Sequence, residues 1–168
     1  HYPVSYTQRR LWALHELGMN PIAYNLTFGF HAASGLDVER LERAVNAVVC
    51  RHEILRTRFL AVAGEPRQQP IVGLELVVER QSLDGEGDFA GRGSVALEAE
   101  RQRPFDLTLA PLMRVVAAES PLLGEGLLVI FSFHHIICDG QSLAVFSEEL
   151  SSAYGTDTLL DLTPLEFQ

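Results

Sequence analysis

The run from Leu127 to Gly140 sets the terms on which the rest of the chain can fold. Leu127-Leu128-Val129-Ile130-Phe131-Ser132-Phe133 is short, apolar and rich in β-branched and aromatic residues, and it follows Gly124-Glu125-Gly126, so it reads as a core strand and not a helix. It empties into His134-His135-Ile136-Ile137-Cys138-Asp139-Gly140. Beyond Gly140 the period changes: Leu143, Phe146, Leu150 and Tyr154 recur at helical spacing, leaving Glu148 and Glu149 for a wet face. The turn therefore sits at a helix N-terminus. Unpaired N–H groups and the positive end of the helix dipole there favour negative charge developing on an oxygen.

Adjacent residues on an extended chain face opposite ways, so of His134 and His135 one is expected to work and the other to pack. Asp139 is placed to brace the loop. Metal binding by His134, His135 and Asp139 is a poor reading, because neighbouring histidines diverge on a strand. Cys138 lies in the turn, where a thiol can be activated, yet packing is the preferred role. Cys50 and Cys138 are far apart and have no CxxC partner, which supports neither a zinc ribbon nor a disulfide framework.

Composition narrows the partners. A chain of 168 residues with 47% hydrophobic residues suffices for one domain with a real core. The formal net charge of −9 argues against a nucleic-acid backbone or an anionic membrane surface as partner, since both call for a basic footprint. No apolar run approaches the roughly 20 residues of a membrane helix, so a soluble, cytoplasmic protein is expected.

Taken in order, Ser5 with Gln8 forms a capping-box pattern ahead of Leu11, Trp12, Leu14 and Leu17, a first helix that stops at Gly18. Residues 24–32 alternate as a strand that ends at Ser34-Gly35. Asp37 caps a second helix whose stripe includes Leu41, Ala44, Val45 and Val48 and which runs into Arg51-His52-Glu53. Residues 56–62 and 67–72, joined at Gly64-Glu65-Pro66, predict a hairpin, with a further strand over 74–80. Glycine-rich 84–93 lacks the feeding strand and lysine of a P-loop and reads as a surface loop. A short helix over 95–103 stops at Pro104, and 112–118 pairs with 127–133 as a hairpin. The sum is an α/β (α+β) two-layer sandwich, a mixed β-sheet with helices on one face. His15, His31 and His52 read as surface or packing residues. The tail Asp161-Leu162-Thr163-Pro164-Leu165-Glu166-Phe167-Gln168 ends on apolar residues without a stop signal and hints at a cut inside a longer polypeptide.

Several segments, in this order, resemble the signature motifs of condensation domains of nonribosomal peptide synthetases. Ser5-Tyr6-Thr7-Gln8-Arg9-Arg10-Leu11-Trp12 is similar to the first, Arg51-His52-Glu53-Ile54-Leu55-Arg56-Thr57-Arg58-Phe59 to the second, and the HHxxxDG run from His134 to Gly140 to the third. Arg103-Pro104-Phe105-Asp106-Leu107 and Pro111-Leu112-Met113-Arg114-Val115 also match family habit. The resemblance implies a chloramphenicol-acetyltransferase-like fold in which two lobes form a V around a tunnel. Residues 1–168 match only the N-terminal lobe, with the C-terminal lobe absent, so an isolated lobe is expected to be inactive.

The same resemblance implies amide formation between a donor thioester and an acceptor amine, each carried on the phosphopantetheine arm of a carrier protein, with no cofactor and no metal bound directly. The partners it implies are donor and acceptor peptidyl carrier proteins, the missing lobe and neighbouring synthetase domains. By motif match His135 carries the chemistry, as base or as orienter of the amine, and His134 is structural. A true base contributes roughly 10²- to 10⁴-fold. Gly140 lets backbone approach the thioester oxygen, and Asp139 pairs with an arginine of the second motif, Arg51, with Arg56 the alternative. Loss of such a buried pair costs ~3 to 5 kcal/mol, so Asp139→Ala should deplete folded protein while His135→Ala should not. Gln141 stands where the family has an aromatic residue, commonly Trp. The intact double histidine argues against a heterocyclization domain, and the second motif favours an L-configured or acyl donor over epimerization. Two alternatives are a stand-alone acyltransferase using coenzyme A thioesters and a non-catalytic carrier-protein-docking lobe.

Overall fold

The computed structural model describes residues 1–32, 35–122 and 125–155. In chain order it contains β1 (Tyr2–Pro3), α1 (Tyr6–Glu16), β2 (Asn25–Ala32), α2 (Val38–Arg51), a 3-10 turn (Glu53–Arg56), β3 (Thr57–Val62) and β4 (Glu65–Pro70). There follow β5 (Glu79–Ser82), α3 (Phe89–Arg101), β6 (Met113–Glu119), β7 (Leu127–His134) and α4 (Gly140–Gly155). The strands form a three-stranded sheet, β1-β4-β3, and a four-stranded sheet, β2-β7-β6-β5. Among the described residues only β5 and β6 run parallel. The expected tail and the Ser34 strand stop lie outside the described residues.

β7 is the interior strand that its composition predicts. It pairs antiparallel with β2, Phe28 opposite Phe131, and with β6, Val115 opposite Phe131. Its two faces are both apolar. Val129, Phe131 and Phe133, with Val115 and Ala117 of β6, join the main core beside Val45 and Val48 of α2 and Phe146 of α4. Leu128 and Ile130, with Val116 and Ala118, meet Phe89, Ala96 and Leu97 of α3. The mixed α+β class is as expected, but the helices do not all lie on one face: α3 covers the other. A sheet whose central strands are apolar on both sides requires cover on both sides.

Two local differences have clear causes. The glycine-rich segment is not all loop, because α3 begins at Phe89, capped by the Asp88 carboxylate accepting the Gly91 N–H at 2.8 Å. A Cβ on Gly93 would come within 3.4 Å of Leu128, so glycine there lets the helix lie close on the sheet. Residues 74–78, expected as strand, satisfy their backbone through α2 instead. Leu76 N–H donates to Asn46 Oδ1 at 2.7 Å, Asn46 Nδ2 to the Leu76 carbonyl at 2.8 Å, and Val78 N–H to Glu42 Oε2 at 2.7 Å. Among the described residues no helix is long and apolar enough to cross a membrane.

Candidate active site

Between the end of β7 and the start of α4 the backbone is held from several sides. His134 N–H donates to the Leu112 carbonyl at 3.0 Å, His135 N–H to the Tyr24 carbonyl at 2.8 Å, and Ile137 N–H to the His134 carbonyl at 3.1 Å. From α1, whose Ser5–Gln8 capping box forms as expected, Gln8 Nε2 reaches the Ile136 carbonyl at 3.4 Å. The turn is thus anchored to α1, to the residue before β2 and to the residue before β6.

The two histidines divide as alternation requires. His134 is 1% exposed, among the rings of Tyr24, Phe105 and His15 at centroid distances of 6.3, 6.2 and 6.5 Å. Its Nδ1 accepts the Ile136 N–H at 3.1 Å, so the neutral ring carries its proton on Nε2. Burial above all, with His15 and His135 adding to it, pushes its pKa down to about 4. His135 is exposed. Its Nδ1 lies 2.7 Å from the Cys138 carbonyl, which only accepts, so Nδ1 carries a proton and, in the neutral ring, Nε2 is the acceptor.

Asp139 does not pair with Arg51 or Arg56, contrary to expectation. It is exposed at the N-cap of α4, where its Oδ1 accepts the Ser142 N–H at 2.8 Å and the Ser142 hydroxyl at 2.7 Å. Those donors, the backbone N–H first, hold its pKa below the ordinary carboxylate range. A carboxylate one residue ahead of a helix satisfies that helix's unpaired N–H groups at once, without a partner from a distant element. Arg51 instead donates from Nε to Glu149 Oε1 at 3.1 Å, and His52 Nε2 lies 2.7 Å from the other oxygen. Arg56 turns to Glu53 at 3.3 Å. Glu149, read from sequence as wet-face, therefore ties the end of α2 to α4.

Cys138 is buried, and burial, with Asp139 adding to it, pushes its thiol up to about 12, so it packs and is no thiolate nucleophile. Gly140 has no positive φ, and a Cβ there would meet nothing within 4 Å. The fold itself does not require glycine at this position. Beside the turn opens a cleft of about 310 Å³, whose walls include His52, Leu55, Ile137, Asp139, Gln141 and Phe146. No group of three or more His, Cys, Asp or Glu side chains among the described residues could hold a metal ion. His15 and His52, read from sequence as surface or packing residues, both approach the turn, His15 against the His134 ring and His52 in the wall of the cleft. No periodicity announces that, since it arises from helix ends meeting in space.

The condensation-domain family model matches residues 1–166. The chain is 40% identical over 161 residues to tyrocidine synthase 3 of Brevibacillus parabrevis, covering 96% of this chain and 2% of that protein. It is 34% identical over 166 residues to bacitracin synthase 3 of Bacillus licheniformis, with 97% and 2% covered. Among solved structures it matches the first condensation domain of the CDA synthetase with a TM-score of 0.77 at 24% identity, over 91% of this chain and 40% of that one. The starter condensation domain of rhizomide synthetase matches with a TM-score of 0.79 at 20% identity, over 91% and 37%. The chain therefore spans about two-fifths of those solved condensation-domain chains and a small share of the synthases. Family model, relatives and fold agree: the chain belongs to the condensation-domain family of the nonribosomal peptide synthetases.

Proposed function

We propose that residues 1–168 are the N-terminal lobe of a condensation domain and supply the histidine for amide formation between a carrier-bound donor thioester and a carrier-bound acceptor amine. The observation that carries this reading is the exposed His135 ring, pinned through Nδ1 to the Cys138 carbonyl at 2.7 Å with Nε2 left to accept. The amine lone pair attacks the thioester carbonyl, the C–S bond breaks, and Nε2 takes the amine proton and passes it to the departing thiolate. Such proton transfer is worth roughly 10²- to 10⁴-fold, and aligning the two arms supplies as much as roughly 7 to 11 kcal/mol of the barrier.

The supporting residues act through placement. His134 packs as a neutral acceptor beneath the turn, Asp139 caps α4, and Arg51 joins α2 to α4 through Glu149. Open space at Gly140 leaves room for the thioester oxygen near the helix start. The partners are donor and acceptor carrier proteins, in a cytoplasmic setting, together with a second lobe that closes the tunnel; by itself the lobe does not turn over. The test is an assay with donor- and acceptor-loaded carrier proteins, comparing this chain with a polypeptide extended through the second lobe. Product only from the extended form, lost in His135→Ala, is the expected result. Condensation undiminished in His135→Ala would overturn the role of the imidazole, and turnover of free coenzyme A thioesters without carrier proteins would make the protein a stand-alone acyltransferase.

A further inference from the structure

His135 is only as well placed as the backbone that presents it, and its amide is fixed by the carbonyl of Tyr24, the residue just ahead of β2. The next side chain is tied elsewhere. Asn25 Nδ2 donates to the carbonyls of Arg101 at 2.9 Å and Arg103 at 2.8 Å, where the end of α3 leaves carbonyls without intrahelical donors. The two donations also set the orientation of the amide, and its Oδ1 is left buried with no partner among the described residues. Asparagine is depleted in strands, and an unsatisfied buried acceptor is destabilising. Strand formation therefore gives no reason for this residue.

The register gives one. Asn25 stands directly opposite His134 across β2 and β7, so its side chain links the strand end that holds the histidine turn to the end of α3. That helix end is fixed in turn. Arg114 donates to the same Arg103 carbonyl at 2.9 Å, and its guanidinium lies 3.8 Å over the Phe105 ring, whose edge meets His134.

We propose that Asn25 is a positioning residue for His135: its two amide donations lock the start of β2 onto α3 and so hold the Tyr24 carbonyl where it receives the His135 N–H. The proposal rests on the reading of His135 as the reacting imidazole. Asn25→Leu tests it, a substitution close in size that removes both donations and the unpaired oxygen together. Amide hydrogen exchange of His135 should speed up at least about tenfold while that of His134, bonded to Leu112, stays near wild type. In the extended, carrier-dependent enzyme, kcat should fall roughly tenfold or more with KM within about twofold, as expected for a reacting group displaced without loss of a substrate contact. Unchanged His135 exchange in folded Asn25→Leu overturns the proposal, as does exchange raised evenly across β6, β7 and α4, which would make Asn25 a general stabiliser. Should Asn25→Leu fail to fold, Asn25→Ser must show the same selective effect, and failure of both to fold equally overturns it. If exchange responds as expected while the wild-type extended enzyme forms no amide, the anchoring stands and the functional reading falls.

Discussion

Glu149, and not Asp139, should be the carboxylate whose loss is felt by the fold. The Asp139 carboxylate is exposed and bonds only to the start of its own helix, so Asp139→Ala removes an N-cap, a loss of about 1 kcal/mol. For a chain of this size that is about 2 to 4 °C in Tm. Glu149 differs in kind. Its side chain is 21% exposed and receives Arg51 and His52, themselves 23% and 17% exposed, so removing it takes a charge-assisted partner from each of two half-buried donors at the end of α2. Hydrogen bonds to charged groups in such surroundings contribute about 1.5 to 3 kcal/mol, here about 2 after allowing for partial solvent screening. The expected shift is about 4 to 8 °C.

Thermal unfolding of wild type, Asp139→Ala and Glu149→Ala by far-ultraviolet circular dichroism at pH 7.5 decides the matter. The order expected is wild type above Asp139→Ala above Glu149→Ala. If Asp139→Ala were the less stable of the two by several degrees, the cap assignment would be wrong and a distant cation would have to be its partner.

Three further outcomes follow from the same geometry. His134 has its pKa held near 4 against about 6.5 unfolded, so the unfolded chain binds the extra proton between those values and stability falls as pH drops through them, by about 2 kcal/mol at pH 5 and about 3 below pH 4; urea titrations from pH 7 to pH 4 should show a shallower pH slope for His134→Gln than for wild type. Of the two cysteines, exposed Cys50 should alkylate readily at pH 8 and buried Cys138 only on denaturation, a pattern that mass spectrometry of iodoacetamide-treated native protein would contradict if both sites were labelled within minutes. Gly140→Ala should leave Tm unchanged or slightly raised, since its Cβ meets open space and alanine is the better helix former, yet slow amide formation in the extended enzyme; equal rates would remove Gly140 from the site.

The sequence disclosed what is local and periodic. The β7 run, the Ser5–Gln8 box, the Asp37 cap and the β6–β7 hairpin each follow from a few neighbouring residues, and the structure has them in place. The ordered motifs disclosed the family, and alternation disclosed that one histidine of the pair must be buried. Side-chain partners across elements were another matter. The motif resemblance pairs Asp139 with Arg51, but motifs do not say which of several carboxylates the packing of α2 on α4 brings near. Glu149 is ten residues beyond Asp139, and three helical turns separate the one that caps from the one that clamps. The strand expected over 74–80 forms only from Glu79 on, for a similar reason, since nothing in its alternation reveals that Asn46 and Glu42 take the amides of Leu76 and Val78.

What unites these features is a separation between the atoms that hold the turn and the atoms that face solvent. His134 spends its side chain on the fold: buried, neutral and accepting from Ile136, it trades the power to titrate at physiological pH for a fixed backbone. His135 does the reverse. Its backbone N–H and Nδ1–H are both committed to carbonyls, at 2.8 and 2.7 Å, and only Nε2 remains unassigned. The bonds that keep the ring from turning are already made to the protein, so Nε2 has a defined direction before any substrate arrives, which is the condition under which a single imidazole can contribute to rate rather than merely to binding.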